Sequence, residues 1–270
     1  MPNHMSDLGF LVECRADFEA LALLALEQGT ELQTASGMYV RWSPGADIEL
    51  WMQLDADGDV VGLNPHYAGR TRMRVGLTVR VPRPESSILD GAFHGWADPM
   101  EAEPESGQYP FVFDVPDYGL TGAVVVPSIC KVQLTAFAHE LQAYESEAAY
   151  AATQSGAVKF ATESFIPAGL FNAATNEQNT PPQAYAIFTG RVLDTALITN
   201  PATEREFCWA HVRTLGGELD MVADPDLLDG YLTKGGIVGG SFWLSGRFIE
   251  WGVSSGNGRG QMETENVKSH

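Results

Sequence analysis

The chain has 270 residues, 44% of them hydrophobic and 10% aromatic, which is enough for a real core and long for one small domain. Its 35 acids against 16 bases leave a formal charge of −19, a field that repels phosphate backbones and disfavours general nucleic-acid binding. With only 19% charged residues, 28 glycines and 15 prolines, the composition suits short strands and turns better than a helical bundle.

Met1 to Leu8 carries neither a basic nor an apolar segment of signal-peptide type, and no apolar stretch approaches the ~20 residues of a membrane span. A cytoplasmic protein is therefore expected, with no membrane contact. Gly9–Cys14 reads as a short strand. Asp17 reads as the N-cap of a helix over Phe18–Gln28, with Leu21, Leu24 and Ala25 on one face and Gly29 as its stop. Met38–Trp42 and Ile48–Leu54 are rich in aromatic and branched residues and read as strands. Asp57-Gly58 is a hairpin signal, Val60–Leu63 is the returning strand, and Asn64-Pro65 is expected to end it. The spacing of Asp55, Asp57 and Asp59 fails as a calcium loop, because Gly58 precedes the third acid and His66 stands at the twelfth position.

Arg70–Pro82 alternates over its whole length. Met73, Val75, Leu77, Val79 and Val81 take one face, and Arg70, Arg72, Arg74, Thr78 and Arg80 take the other, as in a half-buried strand. From Pro84 to Cys130 there is no Lys or Arg, against eight acids and six prolines, so loops and short strands are expected, with Tyr109–Asp114 and Ala123–Val126 extended. Lys131–Leu141 alternates like a strand, and Ser146–Gln154 has helical composition. Asn172–Gln183 reads as a linker. Beyond it Tyr185–Ile198, Phe207–Leu215 and Glu218–Ala223 are extended. Asp224-Pro225 caps a short helix over Asp226–Asp229, and Gly236–Gly239 and Ser241–Trp251 are extended again. The fold class predicted is a β-rich α+β protein: a mixed module over residues 6–170, packed on a small OB-like β-barrel module over 183–252, with a disordered tail over 253–270.

Two resemblances concern topology. The strand–strand–strand–helix–strand order of residues 185–251, with Gly190 and Gly246 inside strands as if at bends, resembles an OB-type barrel. The strand–helix–strand–strand order of residues 9–63 is similar to half of a vicinal-oxygen-chelate (glyoxalase-like) module. That likeness implies metal ligands on particular strands, of which Glu49 is one candidate and Glu13 another.

Chemistry concentrates in few places. Asp90-Gly-Ala-Phe-His-Gly-Trp-Ala-Asp98 sets His94 between Asp90 and Asp98, and with His66 these are candidate ligands of a divalent metal or an acid–base pair. His139-Glu140 begins an H-E-x-x-H pattern, but Ala143 stands where the second histidine belongs. Arg70, Arg72, Arg74 and Arg80 are a candidate anion-binding face, unless they pair with the acids of residues 85–117. Trp209, Trp243 and Arg247 are a candidate stacking face. Cys14, Cys130 and Cys208 lie too far apart in sequence for a disulfide framework or a zinc motif. Hydrolase, kinase and dinucleotide-binding motifs are missing. The leading expectation is an acidic, non-catalytic protein that docks a basic protein partner and needs no cofactor. The alternative is a metal-dependent enzyme of small molecules using His66, His94 and nearby carboxylates.

Overall fold

A computed structural model describes residues 4–154, 159–170 and 181–249. Its helices are α1 (Arg15–Gln28) and α2 (Glu147–Thr153), with single 3₁₀ turns at Ser6–Leu8, Tyr118–Ala123, Ala168–Leu170 and Pro225–Leu227. Among the described residues no helix is long and apolar enough to cross a membrane. The rest is dominated by strands in two sheets.

The smaller sheet is an antiparallel meander of β1 (Thr30–Thr34), β2 (Gly37–Gly45), β3 (Ile48–Leu54) and β4 (Val60–Tyr67), in that order. Asn64-Pro65 does not end β4. Pro65 sits opposite Leu50 on an edge strand, where a missing N–H costs no ladder hydrogen bond, and pairing continues to Tyr67. The larger sheet collects β5 (Met73–Pro82), β6 (Gly91–Ala97), β7 (Pro110–Asp114), β8 (Ser128–Tyr144), β9 (Ser164–Ile166), β10 (Tyr185–Thr199), β11 (Glu206–Thr214), β12 (Gly217–Ala223), β13 (Leu228–Asp229) and β14 (Ile237–Phe248).

Two long strands organise the larger sheet. One edge of β8 pairs antiparallel with β14 from Val132 to Tyr144, while its other edge passes from β5 to β12 and then to β13. β14 likewise pairs with β10 through Trp243 and then meets β7 at Ser245. The pairings therefore return on themselves twice: through β8, β14, β10, β11 and β12, and through β8, β5, β6, β7 and β14. Strands from both halves of the chain thus share one sheet.

Two glycines expected at bends are sites of close approach. A Cβ on Gly190 would stand 2.3 Å from Val212 Cγ1, and one on Gly246 would stand 2.5 Å from the Phe113 ring. The larger core follows β8 and β14, with Phe188 and Phe242 stacked at 3.9 Å between ring centroids. A second core joins Leu8, Phe10 and Ala25 to the Ile48, Leu50 and Met52 side of β3 and to Phe137, Phe207, Trp209 and Val222 of the larger sheet.

Several local expectations change. Gly9–Cys14 is not a strand: Gly9 takes φ 75° after the 3₁₀ turn, which suits a glycine and turns the chain so that Phe10 is buried. Without an opening strand, the glyoxalase-like order over residues 9–63 is not formed. α1 starts three residues earlier than expected. Cys14 is its N-cap, and Asp17 closes a capping box by accepting the Glu13 and Cys14 amides on Oδ2. Ala123–Val126 lies at the end of a 3₁₀ turn rather than in a strand. In β5 a bulge between Leu77 and Val79 interrupts the alternation, leaving Val79 54% exposed although it belongs to the expected core face, while Val81 is buried as expected. The linker positions 172–180 and the tail 253–270 lie outside the described residues.

Because Phe242 is buried on a strand that closes both circuits, Phe242→Ala is expected to cost about 3–5 kcal/mol. Urea unfolding followed by tryptophan fluorescence measures it. A cost below about 1 kcal/mol would contradict the packing described.

Candidate functional site

β3 is buried on both faces, and its two faces differ in kind. Ile48, Leu50, Met52 and Leu54 meet the apolar core, whereas Glu49, Trp51 and Gln53 meet polar partners from the larger sheet. Glu49 accepts from Arg247 NH1 at 3.2 and 2.9 Å and from Trp51 Nε1 at 2.9 Å. Arg247 also donates from Nε and NH2 to Asp117 Oδ2 at 3.2 and 3.1 Å, and its guanidinium lies 4.5 Å from the centre of the Trp51 ring. Glu49 is thereby committed to an arginine, not offered to a metal.

His66 occupies the next position along this seam. Gln133 Nε2 donates to Thr135 Oγ1 at 2.9 Å, which turns Gln133 Oε1 towards the imidazole at 2.6 Å. Nε2 of His66 therefore carries the proton, and Nδ1 accepts from the Ser245 hydroxyl at 2.9 Å. Burial, with a smaller push from Arg247, drives the His66 pKa down to about 3. A hydroxyl on a neutral imidazole oriented by a third group has the parts of an activated nucleophile. Ser245 and His66 are both fully buried, however, and neither lies on the wall of the cavity described below. This arrangement ties the sheets together. Deeper still, Asp220 Oδ2 accepts from the Thr71 amide and hydroxyl at 3.0 and 2.7 Å, and Oδ1 accepts from Trp209 Nε1 at 2.9 Å.

The sequence-derived metal candidates do not converge. His66 is engaged as described. His94 Nδ1 meets Thr78 Oγ1 at 2.7 Å, and burial lowers its pKa. Asp90 accepts from Gln53 and Asn64, and Asp98 is an exposed residue with φ 47°. Among the described residues no group of three or more His, Cys, Asp or Glu side chains is placed to hold a metal ion.

The arginine face is spent mostly on main-chain carbonyls. Arg72 donates to Gly69 and Thr71, Arg74 to Pro99, and Arg80 to Thr121 and Val124, while Arg70 stacks 5.4 Å over Trp209. Among the described residues, of the five bases from Arg70 to Arg83 only Arg83 reaches a carboxylate, that of Asp114 at 2.9 Å. The stacking candidates turn inward as well. Trp209 is buried on Asp220, Arg247 lies between Glu49 and Asp117, and Trp243 donates to Asp114 Oδ2 at 2.7 Å.

What the chain does offer is a cavity of about 540 Å³ between the smaller sheet with its N-terminal arm and the larger sheet. Met5, Val12, Phe18, Leu63, Pro65, Val115 and Pro116 give it apolar walls. Its polar groups are Asp90, Asp114, Arg83, Asn64, His4 and His139, and Trp243 and Tyr185 add aromatic faces. Exposed Ser86 and Gln183 mark the rim. Burial raises the Asp114 pKa against the opposing pull of Arg83 and the Trp243 hydrogen bond. The His4 and His139 rings meet at 4.6 Å, and His4 stacks on Trp243 at 5.2 Å while its Nδ1 lies 2.7 Å from Asp7 Oδ2. Asp90 was legible as a polar residue beside aromatics. Asp114, Arg83 and His4 were not, since they come from three distant segments and no spacing links them.

Comparison of the chain with protein-family models, curated proteins and solved structures finds no match.

The His66 environment sets a pH dependence. Between pH 6.5 and about 3 the unfolded chain binds a proton at His66 that the folded chain refuses, so stability falls as pH drops through that window. The slope from this group reaches about 1.4 kcal/mol per pH unit. Urea titrations at several pH values should show His66→Gln lacking this share of the slope. Asp7 and Asp114, whose raised pKa values act in the opposite sense, cancel in the comparison. Equal slopes for the two proteins would contradict a neutral buried His66.

Proposed function

We propose that this chain is a binding protein whose ligand, a small and largely apolar molecule with one polar group, occupies the cavity between the two sheets. The observation that carries this reading is the cavity itself: about 540 Å³, largely apolar walled, with a few polar side chains in its lining. Those are the dimensions and chemistry of small-molecule sites, and the volume lies inside their usual range of about 300–1,000 Å³. A second hollow of about 590 Å³ is lined mainly by charged and polar side chains, among them Arg72, Arg74, Asp98, Glu163 and Glu218, and lacks the apolar walls of the first. The order of the first circuit supports an OB-like reading of the C-terminal strands, in which β10, β11 and β12 form the meander, the turn at Pro225–Leu227 leads to β14, and the fifth strand is β8 from the N-terminal half.

A second reading, docking of a basic protein, is favoured by one feature. Of the eight acids in the base-free stretch, Asp90, Asp114 and Asp117 turn inward. Asp98, Glu101, Glu103 and Glu105 stand exposed together on the β6–β7 loop. A partner held there is expected to dissociate steeply as salt rises from low to physiological strength. Salt-independent retention would remove this reading.

For the cavity, a neutral fluorescent probe such as N-phenyl-1-naphthylamine is expected to bind saturably at one site and to quench tryptophan emission. Ser86→Trp, a change at the exposed rim, should weaken that binding several-fold. Non-saturable uptake, or binding indifferent to the rim substitution, would sink the proposal.

A further inference from the structure

Resting on the cavity reading, we infer that the polar group of the ligand is a cation: the site takes an organic ammonium with an apolar body, and Asp90 is its counter-charge. The wall carries two carboxylates and one guanidinium. Arg83 Nε donates to Asp114 Oδ1 at 2.9 Å and its NH2 donates to the Pro182 carbonyl at 3.0 Å, so Asp114 and Arg83 neutralise each other inside the protein. Trp243 Nε1 takes the other Asp114 oxygen.

Asp90 differs. Its partners, Gln53 Nε2 and Asn64 Nδ2, are neutral donors, and both converge on Oδ1. Among the described residues Oδ2 accepts no hydrogen bond. Among the described residues Asp90 thus has no cationic partner, and one of its oxygens is left without a donor. Asp90 is fixed from both sides, since its backbone carbonyl accepts the Arg83 amide and its own amide donates to Ser87. An oxygen held in place by β3, β4 and the β5–β6 turn is organised for an N–H donor that the protein does not supply.

The remaining lining agrees. Phe18, Tyr185 and Trp243 bring three aromatic rings to the same cavity, and ring faces attract ammonium groups. The imidazoles of His4 and His139 complete the titratable wall, and burial with His4 nearby lowers the His139 pKa, which keeps that ring towards its neutral form. The fold as a whole adds a charge of −19, which raises the local concentration of cations and lowers that of anions.

Three probes of one shape test this by isothermal titration calorimetry on the full chain at low ionic strength: 2-(1-naphthyl)ethylamine, 2-(1-naphthyl)ethanol and 1-naphthylacetate. The amine should bind at least about tenfold more tightly than the alcohol, and the acetate least well. Asp90→Asn should reduce the amine-to-alcohol ratio to near unity. An alcohol that matches the amine on the unaltered protein, or a ratio untouched by Asp90→Asn, overturns the cation assignment and leaves the cavity reading standing. Binding of none of the three overturns both. The ratio on the unaltered protein needs no variant, so a misfolded substitution does not obscure the answer.

Discussion

One guanidinium holds the two sheets in register. Arg247 enters from β14, crosses the seam, and finds Glu49 of the smaller sheet on one side and Asp117 on the other, with Trp51 beneath it. Burying a charge is costly unless its hydrogen bonds are made, and here the geometry satisfies all three guanidinium nitrogens. Such an interaction is unforgiving of slippage. A one-residue shift of β14 would point Arg247 into the apolar core and leave Glu49 without its arginine. The His66 contacts with Ser245 and Gln133 repeat the constraint one step along the same strands. Sheet-to-sheet geometry is therefore specified by polar pairing across the interface.

That registration locates the cavity. Its walls come from the N-terminal arm, β4, the β5–β6 turn, the end of β7, β8 and the facing ends of β10 and β14. No single segment builds it. Its two carboxylates are held by different elements: Asp90 by Gln53 and Asn64 of the smaller sheet, Asp114 by Arg83, just after β5, and by Trp243 of β14. Fixing the sheets against each other fixes the distance between the two carboxylates.

Much of the strand content was legible, because alternation is a local property. Met73–Pro82 and the start of β8 follow from side-chain period, and Ile48–Leu54 from its aromatic and branched residues. Period does not report what a polar face meets. Glu49, Trp51 and Gln53 form the polar face of their strand, and a polar face normally meets water; here it meets Arg247 and Asp90, which lie far along the chain. Trp243 and Arg247 were correctly placed on one face of β14, yet that face is interior. Gly91–Ala97 was missed as a strand because its two glycines and flanking acids mimic a loop, and pairing with the neighbouring β5 and β7 makes it β6. The cavity was illegible for the same reason: its residues are neighbours only after both circuits of strands have closed.

The shared β8–β14 pair has a consequence for how the chain comes into being. β8 is complete at Tyr144, but the strand that covers one of its edges ends at Phe248, so closing that ladder requires a loop of roughly a hundred residues. At about 5–20 residues per second, synthesis leaves that edge open for several seconds, with Phe137 and Leu141 beside it. A nascent chain in this state presents a long, apolar template to other chains. Until β14 arrives, the emerging protein depends on speed or on protection by a chaperone to avoid joining another copy of itself.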